Sequence, residues 1–560
     1  MVILDRLIDR VGNVNPQLFR ELKERLTIRN ISIVSVIALT IQSLILFYYN
    51  TQLPPSPTYD LTYARAYDVP KKLVDRANKY CIGKFPREFY GDAPKNSDHL
   101  CTVNFDGDLI INWQEWWSDV CIDLGWILFL GLILGSVYML VADLIQEEKR
   151  GTMNFIRLSP RSPGEIFIGK ILGVPVLVYL ATASIVPLHL LSALSAGANP
   201  MIIASWYLAI GSFWFLLSST AILYVLLGGA QAILITMAVA APIGLFLKEN
   251  RKHLNFGSGD EYGFGNGNWF GLPLFKSSIG MYAFESVVFI LISYWVWQAL
   301  ERRYLNPKAT AISKSQSYLI NIGLQILIAG FAISLIMVRS SYTAANNNAI
   351  LVALDFTLLT LSTLLLLPSK QALQDWSRYR RERATSQNRN FWQRELFQDL
   401  LFNDQSPAML SIAINLGVSM LLWIPVSLSL SRDGNVKFYF LASVGFGASL
   451  VLLYAMIAHL VLFLNVKKHN LWTMGIIAVV VTLPIGLAFI LSSGRNPSGL
   501  AAVLLLFTPF APAGVLGLSG GTTLGIFATQ LGLLGFMTRQ LQRKLQISGQ
   551  SHSKKLLART

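Results

Sequence analysis

Long apolar stretches separated by short charged segments dominate the chain. A transmembrane helix needs about 20 mostly apolar residues to cross about 30 Å of hydrocarbon. Stretches of this kind lie at 30–49, 120–142, 166–192, 202–226, 229–247, 279–300, 318–338, 349–368, 408–430, 438–464 and 472–492. A last stretch, 499–538, is interrupted by Pro509, Pro512 and the run Ser519-Gly520-Gly521. The pattern predicts an all-α polytopic membrane protein.

The basic residues indicate which side of the membrane each connecting segment faces. With the N-terminus inside, the inner segments carry 29 Lys and Arg and the short outer loops carry 8. Because loops rich in Lys and Arg stay in the cytoplasm, both termini are expected there. That orientation needs an even number of crossings. We predict about 12 transmembrane helices, with 499–538 crossing once and partly broken or re-entrant.

The composition agrees with this pattern. Hydrophobic residues make up 53% of the chain and charged residues 14%, whereas soluble domains are about 25% charged. So little polar material cannot cover the surface of a soluble chain of 560 residues, which excludes a conventional soluble enzyme. The net charge of +15 comes from clusters between apolar runs, so membrane lipids and not nucleic acid are the expected partners.

Residues 50–119 form the one sizeable loop expected outside the membrane. The loop contains Cys81 and Cys101. In an oxidising compartment, a disulfide between them would stabilise the loop by roughly 3 kcal/mol. The alternative is two unpaired thiols in a loosely folded lid. No spacing of Cys and His resembles a zinc site, and no metal site is expected.

The most informative polar segment is the inner loop 143–165. It contains the run Glu147-Glu148-Lys149-Arg150-Gly151-Thr152, then apolar residues, and closes with Ser159-Pro160-Arg161-Ser162-Pro163. A short amphipathic helix here would rest its apolar face on the bilayer edge and present its charges to a cytoplasmic partner. The alternative is an ordinary interfacial helix whose charges meet water.

These residues also resemble a known family. The Glu-Glu-x-x-Gly-Thr motif, the Ser-Pro-x-Ser turn and the Gly169-Lys170 pair are similar to the cytoplasmic coupling loop of type-2 ABC exporter permeases. The segment 15–23 resembles the interfacial elbow helix of that family. The likeness covers 12–300, and Asn154 departs from it because an acidic residue is more usual there. As a whole the chain resembles the long two-unit permeases of cyanobacteria.

The resemblance implies the permease subunit of an exporter in the bacterial inner (plasma) membrane. It implies no catalytic residue and no cofactor bound by this chain, since ATP and Mg²⁺ would be bound by a separate cytoplasmic nucleotide-binding ATPase. Whether the chain pairs with a second copy, with another permease or with neither stays open, as does the cargo. The residues expected to transmit motion from the ATPase are Glu147, Glu148, Gly151 and Thr152, with Arg20 and Glu21 placing the elbow helix.

The second half carries a weaker copy of the pattern. Residues 390–403 repeat the elbow sequence, and the short link 465–470 stands where the coupling loop would be. We therefore divide the chain into a first six-span unit (1–300), two linking spans with a basic linker (301–389) and a second, degenerate unit with a basic tail (390–560). The alternative is a chance likeness between two amphipathic entries to membrane helices.

Two acidic residues lie inside predicted spans, Glu285 and Asp355. They are expected either to line a polar export path or to make helix–helix hydrogen bonds of about 0.6 kcal/mol. The segment Gly164–Lys170 has the spacing of a phosphate-binding loop, but Ile171 replaces the Ser or Thr that binds magnesium, which excludes it.

Two other function classes fit the same residues. An ion-coupled secondary transporter needs intramembrane ion-coupling residues and broken helices, for which Glu285, Asp355 and 499–538 are candidates. A polytopic membrane enzyme acting on lipid-linked substrates would need charged groups at the mouth of a cavity, which 50–119 could supply.

Overall fold

The computed structural model describes a helical chain. The described residues are 12, 15–53, 80, 111–229, 231–233, 236–237, 268–336, 341–383, 395–429, 434–464, 469–491 and 499–548. Nine helices in this part are long and apolar enough to cross a membrane, as expected of a polytopic helical membrane protein. The count of 12 crossings stays a prediction, because most of 229–247 lies outside the described residues. So do Cys81, Cys101 and most of the loop 50–119.

The first part of the chain begins with a short amphipathic helix, followed by two long helices, two short ones and three long ones. In order they are α1 (Pro16–Arg25), α2 (Ile28–Asn50), α3 (Trp113–Arg150), α4 (Thr152–Arg157), α5 (Pro163–Gly173), α6 (Val176–Ser195), α7 (Pro200–Leu226) and α8 (Ser278–Leu305).

The second part of the chain contains five long helices and several short ones before the last long helix. In order they are α9 (Lys314–Ile336), α10 (Ser341–Leu365), α11 (Lys370–Arg383), α12 (Glu395–Phe402), α13 (Met409–Ser429), α14 (Gly434–Val461), α15 (His469–Leu491), α16 (Leu500–Leu505), α17 (Ala511–Leu516) and α18 (Gly520–Ser548).

The chain packs into two compact units. The first comprises Met1–Ile222, Ala230–Gly265 and Phe275–Ser293, and the second Leu223–Gly229, Asn266–Leu274 and Tyr294–Thr560. In the first unit α3 packs on α6, α2 packs on both, and α1 packs on α5. In the second unit α9 packs on α13 and α10 on α14. The two predicted linking spans, which form α9 and α10, therefore pack within the second unit.

Sequence signals explain where α1 begins. Asn15 caps α1 by accepting a hydrogen bond from the Leu18 backbone N–H at 3.0 Å. Pro16 then occupies the first helical position, where the lack of an N–H has no cost.

The predicted span 166–192 is two helices, α5 and α6, separated at Val174 and Pro175. Pro175 has no N–H to donate to the Ile171 carbonyl one turn earlier. The hydroxyl of Tyr179 donates to that carbonyl instead, at 2.6 Å. The interruption places α5 outside the candidate span Val176–Ser195.

The interrupted stretch 499–538 forms the short helices α16 and α17 and most of the 29-residue helix α18. Pro512 lies at the start of α17, and Gly520 and Gly521 lie at the start of α18. The breaks therefore fall at the Pro and Gly residues that interrupt the apolar pattern.

Candidate functional site

A buried lysine surrounded by carboxylates lies where α1, α3 and α5 meet. The Lys170 Nζ atom is 2.7 Å from Asp143 Oδ2, 2.7 Å from Glu147 Oε1 and 2.9 Å from Glu21 Oε1. The side chains of Lys170 and Glu21 are only 2% and 3% exposed. We call Lys170, Glu21, Asp143 and Glu147 the Lys170 cluster. It joins three helices through one ammonium group.

The backbone places these four side chains together for identifiable reasons. Asp143 and Glu147 are four residues apart near the end of α3, so they share one face of the helix. On α5, a Cβ atom at Gly169 would lie 2.9 Å from Gln17 Cβ, and one at Gly173 only 2.5 Å from Glu21 Cβ. Glycine at both positions thus lets α1 approach α5 closely enough for Glu21 to contact Lys170.

Two arginines from α1 complete the network. Arg20 Nη2 is 3.0 Å from Glu147 Oε1 and 3.1 Å from Glu21 Oε1. Arg25 Nη2 is 2.7 Å from Asp143 Oδ1. Three cations therefore balance three carboxylates, which offsets the cost of burying charge.

The cluster favours the ionised forms of its buried members, which lie in α1 and α5, outside the candidate spans. Burial alone would raise the pKa of Glu21, but Lys170 and Arg20 outweigh it and lower that pKa below its ordinary value of 4.5. Burial likewise would lower the pKa of Lys170. Its three carboxylate neighbours raise it instead, above 10.5.

The three carboxylates could in principle hold a metal ion. One oxygen from each of Glu21, Asp143 and Glu147 lies within 4.8 Å of the others. However, Lys170 Nζ bonds to all three groups, so the ammonium occupies the position a cation would take. The cluster is a closed ion-pair network, and we assign no metal to it.

The helix α4 lies directly beyond this cluster. Gly151, with φ of 75°, ends α3 in the left-handed conformation that glycine adopts without strain and begins α4. The Thr152 hydroxyl donates to the Glu147 carbonyl at 3.1 Å. On α4 the side chain of Phe155 is 79% exposed, whereas Met153 is buried. The junction therefore presents a short helix with an exposed apolar side chain.

The structure divides the six residues expected to transmit motion into two groups. Arg20, Glu21 and Glu147 come together in and around the Lys170 cluster. The other three, Glu148, Gly151 and Thr152, are exposed at the junction of α3 with α4.

Sequence reasoning missed three members of the network, Lys170, Asp143 and Arg25. It treated Lys170 only as part of a Gly-Lys pair and gave no role to Asp143 or Arg25. The available signal was a lysine within the apolar stretch 166–192. An ionisable group in such a stretch is costly and needs partners of opposite charge.

The two acidic residues of the predicted spans lie in different units. Glu285 lies on α8 within the first unit, and Asp355 lies on α10 within the second. Asp355 is fully buried and accepts hydrogen bonds from Gln325 Nε2 at 2.8 Å and Trp423 Nε1 at 2.7 Å.

Comparisons of this chain with protein-family models, curated proteins and solved structures give no match.

Proposed function

We propose that this chain is the membrane-spanning permease subunit of an ATP-driven ABC exporter. The observation that carries the proposal is the Lys170 cluster, which fixes α1, α3 and α5 to one another just before the exposed helix α4. The proposal joins this geometry to the resemblance of the loop 143–165 to the coupling loop of type-2 exporter permeases.

The geometry suits the transmission of a push from a partner to the membrane helices. The helix α3 has 38 residues, which gives a continuous rod of about 57 Å. A force on α4 would reach the C-terminal end of α3 through the Gly151 junction. Since Lys170 bonds to carboxylates on α1 and α3, α5 would move with them and carry the motion into α6.

The partner in this proposal is a cytoplasmic nucleotide-binding ATPase, which would bind ATP and Mg²⁺. Glu148 and Phe155 would be presented to it, since both side chains are exposed beyond the cluster. The chain would lie in a bacterial inner membrane with both termini in the cytoplasm, as the distribution of Lys and Arg suggests.

The test is to purify the full chain in mild detergent from its native membrane and identify co-purifying proteins by mass spectrometry. We expect a soluble ATPase with the native chain and its loss from the double variant Glu148→Lys, Phe155→Asp. Neither residue belongs to the cluster, so the fold should be kept. Asp375→Lys on α11, whose side chain is 55% exposed, controls for the charge reversal at position 148 and should retain the ATPase.

Two results would contradict the proposal. If no ATPase is retained by the native chain even after cross-linking, the exporter assignment fails. If the ATPase is retained equally by the double variant, α4 is not its docking element.

Ion-coupled transport is the second candidate function, and the buried carboxylate of Asp355 favours it. Transport that continues after ATP depletion would favour ion-coupled transport over an ATP-driven exporter.

A further inference from the structure

Two facing helices of the second unit carry matched stripes of polar side chains. Successive members of each stripe are four residues apart, so each stripe follows one helix face. Hydrogen bonds cross between the helices from Asn321 Nδ2 to the Asn415 carbonyl at 2.7 Å and from Gln325 Nε2 to Ser419 Oγ at 2.9 Å. The stripes are Ser317, Asn321 and Gln325 on α9, and Asn415, Ser419 and Trp423 on α13.

The stripes lead to the buried carboxylate of Asp355 on α10. Gln325 lies 11 residues after Lys314, the first residue of α9, which corresponds to about 17 Å along the helix. Because the hydrocarbon layer is about 30 Å thick, this depth is near its middle. The hydrogen-bond partners described for Asp355, which are Gln325, Trp423 and Ser419, are all neutral. An ionised carboxylate would thus lie deep in the unit with neutral described partners.

The network around Gln325 has fewer hydrogen-bond donors than acceptors. The Nε2 atom of Gln325 carries two hydrogens but has three acceptors in reach, Asp355 Oδ1, Ser419 Oγ and Asn321 Oδ1. Gln325 Oε1 and Asn415 Oδ1 are buried and accept no hydrogen bond from the described residues. Both side chains are more than nine-tenths buried. Buried acceptors without a donor are costly, and an ion or an additional proton would satisfy them.

We propose that the second unit binds one small monovalent cation, a sodium ion or a proton, at Asp355. The carboxylate supplies the single negative charge. Nε2 of Gln325, and not Oε1, faces Asp355 Oδ1 at 2.8 Å, so the amide must rotate by half a turn to bring the uncharged acceptor Oε1 beside the carboxylate. Sodium would then be bound by these oxygens directly. A proton would reside on the Asp355 carboxyl, which could then donate to Gln325 Oε1 once the amide had rotated by half a turn.

The helices packed against Asp355 carry a few other titratable groups. On α9 they are Lys314 and Tyr318, which bond to Ser406 and Ser411. On α14, which packs against α10, they are Lys437, Tyr439, Tyr454 and His459. Because these groups could also respond to a cation, an observed response is assigned to Asp355 only if substituting Asp355 removes it.

The experiment measures thermal unfolding of the full chain in detergent, with sodium chloride or choline chloride at equal ionic strength. If sodium is the occupant, sodium raises Tm in the native chain, because a ligand that binds only the folded state stabilises it. The rise should disappear in Asp355→Asn and persist in the matched control Asp123→Asn, an acid of the first unit that bonds to Tyr49. Gln325→Leu should weaken sodium binding by roughly tenfold.

If sodium has no effect on the native chain, infrared spectroscopy distinguishes the proton. The native protein should then show the C=O stretch of a protonated carboxyl that is missing from Asp355→Asn. If Asp355→Asn does not fold, Gln325→Leu should shift that band or reduce the sodium response. A native chain with neither a sodium response nor a protonated-carboxyl band would overturn the proposal and leave the network as helix packing.

Discussion

The ammonium group of Lys170 bonds to three carboxylates, so its removal would break three ion pairs at once. Substituting Met for Lys170 keeps much of the side-chain volume and removes the charge, leaving Glu21, Asp143 and Glu147 to repel one another. Breaking a buried ion pair by removing one partner costs about 3–5 kcal/mol. We expect Lys170→Met to lower the free energy of unfolding by about that amount, measured by titration with a denaturing detergent.

The matched control is Lys149→Met, because Lys149 is exposed at the end of α3. Its loss should change stability by less than about 0.5 kcal/mol, as surface substitutions usually do. Equal effects of the two substitutions would show that the Lys170 cluster contributes little to stability.

For these residues the sequence could supply candidate site residues but not the contacts between them. Arg20, Glu21 and Glu147 follow from the resemblance to the coupling and elbow segments. Lys170 and Asp143 could not be paired with Glu21 from the pattern alone, since Glu21 lies more than a hundred residues from both along the chain. Their pairing depends on how α1 docks on α5, which is a tertiary property.

Among the helices, the close approach of α1 to α5 depends on having no side chain at Gly173. A Cβ atom there would lie 2.5 Å from Glu21 Cβ, closer than packed atoms allow. We expect Gly173→Ala to push α1 away from α5 and to destabilise the fold by about 1–3 kcal/mol, the usual range for overpacking. The measurement is again unfolding in a denaturing detergent, with the spin-label distance between α1 and α5 as a structural readout.

Gly131→Ala is the control for this change. Gly131 lies within α3, and a Cβ atom there would have no heavy atom within 4 Å. Because alanine favours a helix over glycine, this variant should be neutral or slightly stabilised. Loss of stability in Gly131→Ala but not in Gly173→Ala would contradict the docking argument.

A second buried lysine ties another short helix to a longer one, in the second unit. Lys314, at the start of α9, donates from Nζ to the Leu400 carbonyl on α12 at 2.8 Å and to Ser406 Oγ at 2.5 Å. Lys170 instead bonds to carboxylates. The likeness of 390–403 to the first elbow segment could be seen in the sequence. The sequence could not show that α1 is held by Lys170 and α12 by Lys314, each from a different helix.

For the whole molecule, the apolar pattern predicted the helical membrane class because a span must bury its backbone polar groups in a helix. The same pattern could not show that 166–192 divides at Pro175, since apolar residues continue through the break. It also placed 301–389 in a linking segment. The packing of α9 on α13 and of α10 on α14 depends on side chains such as Gln325 and Asp355, whose partners lie on other helices.

Stability of the molecule should have a broad maximum in pH that depends on the cluster. The lowered pKa of Glu21 means that its contribution is complete above its ordinary value of 4.5 and is lost as pH falls through the folded-state value. The raised pKa of Lys170 means that its contribution is complete below 10.5 and is lost as pH rises through the folded-state value. Thermal unfolding of the native chain should therefore show a plateau between these limits. Glu21→Gln should reduce the acid-side slope, and an unchanged slope would mean that other carboxylates control acid unfolding.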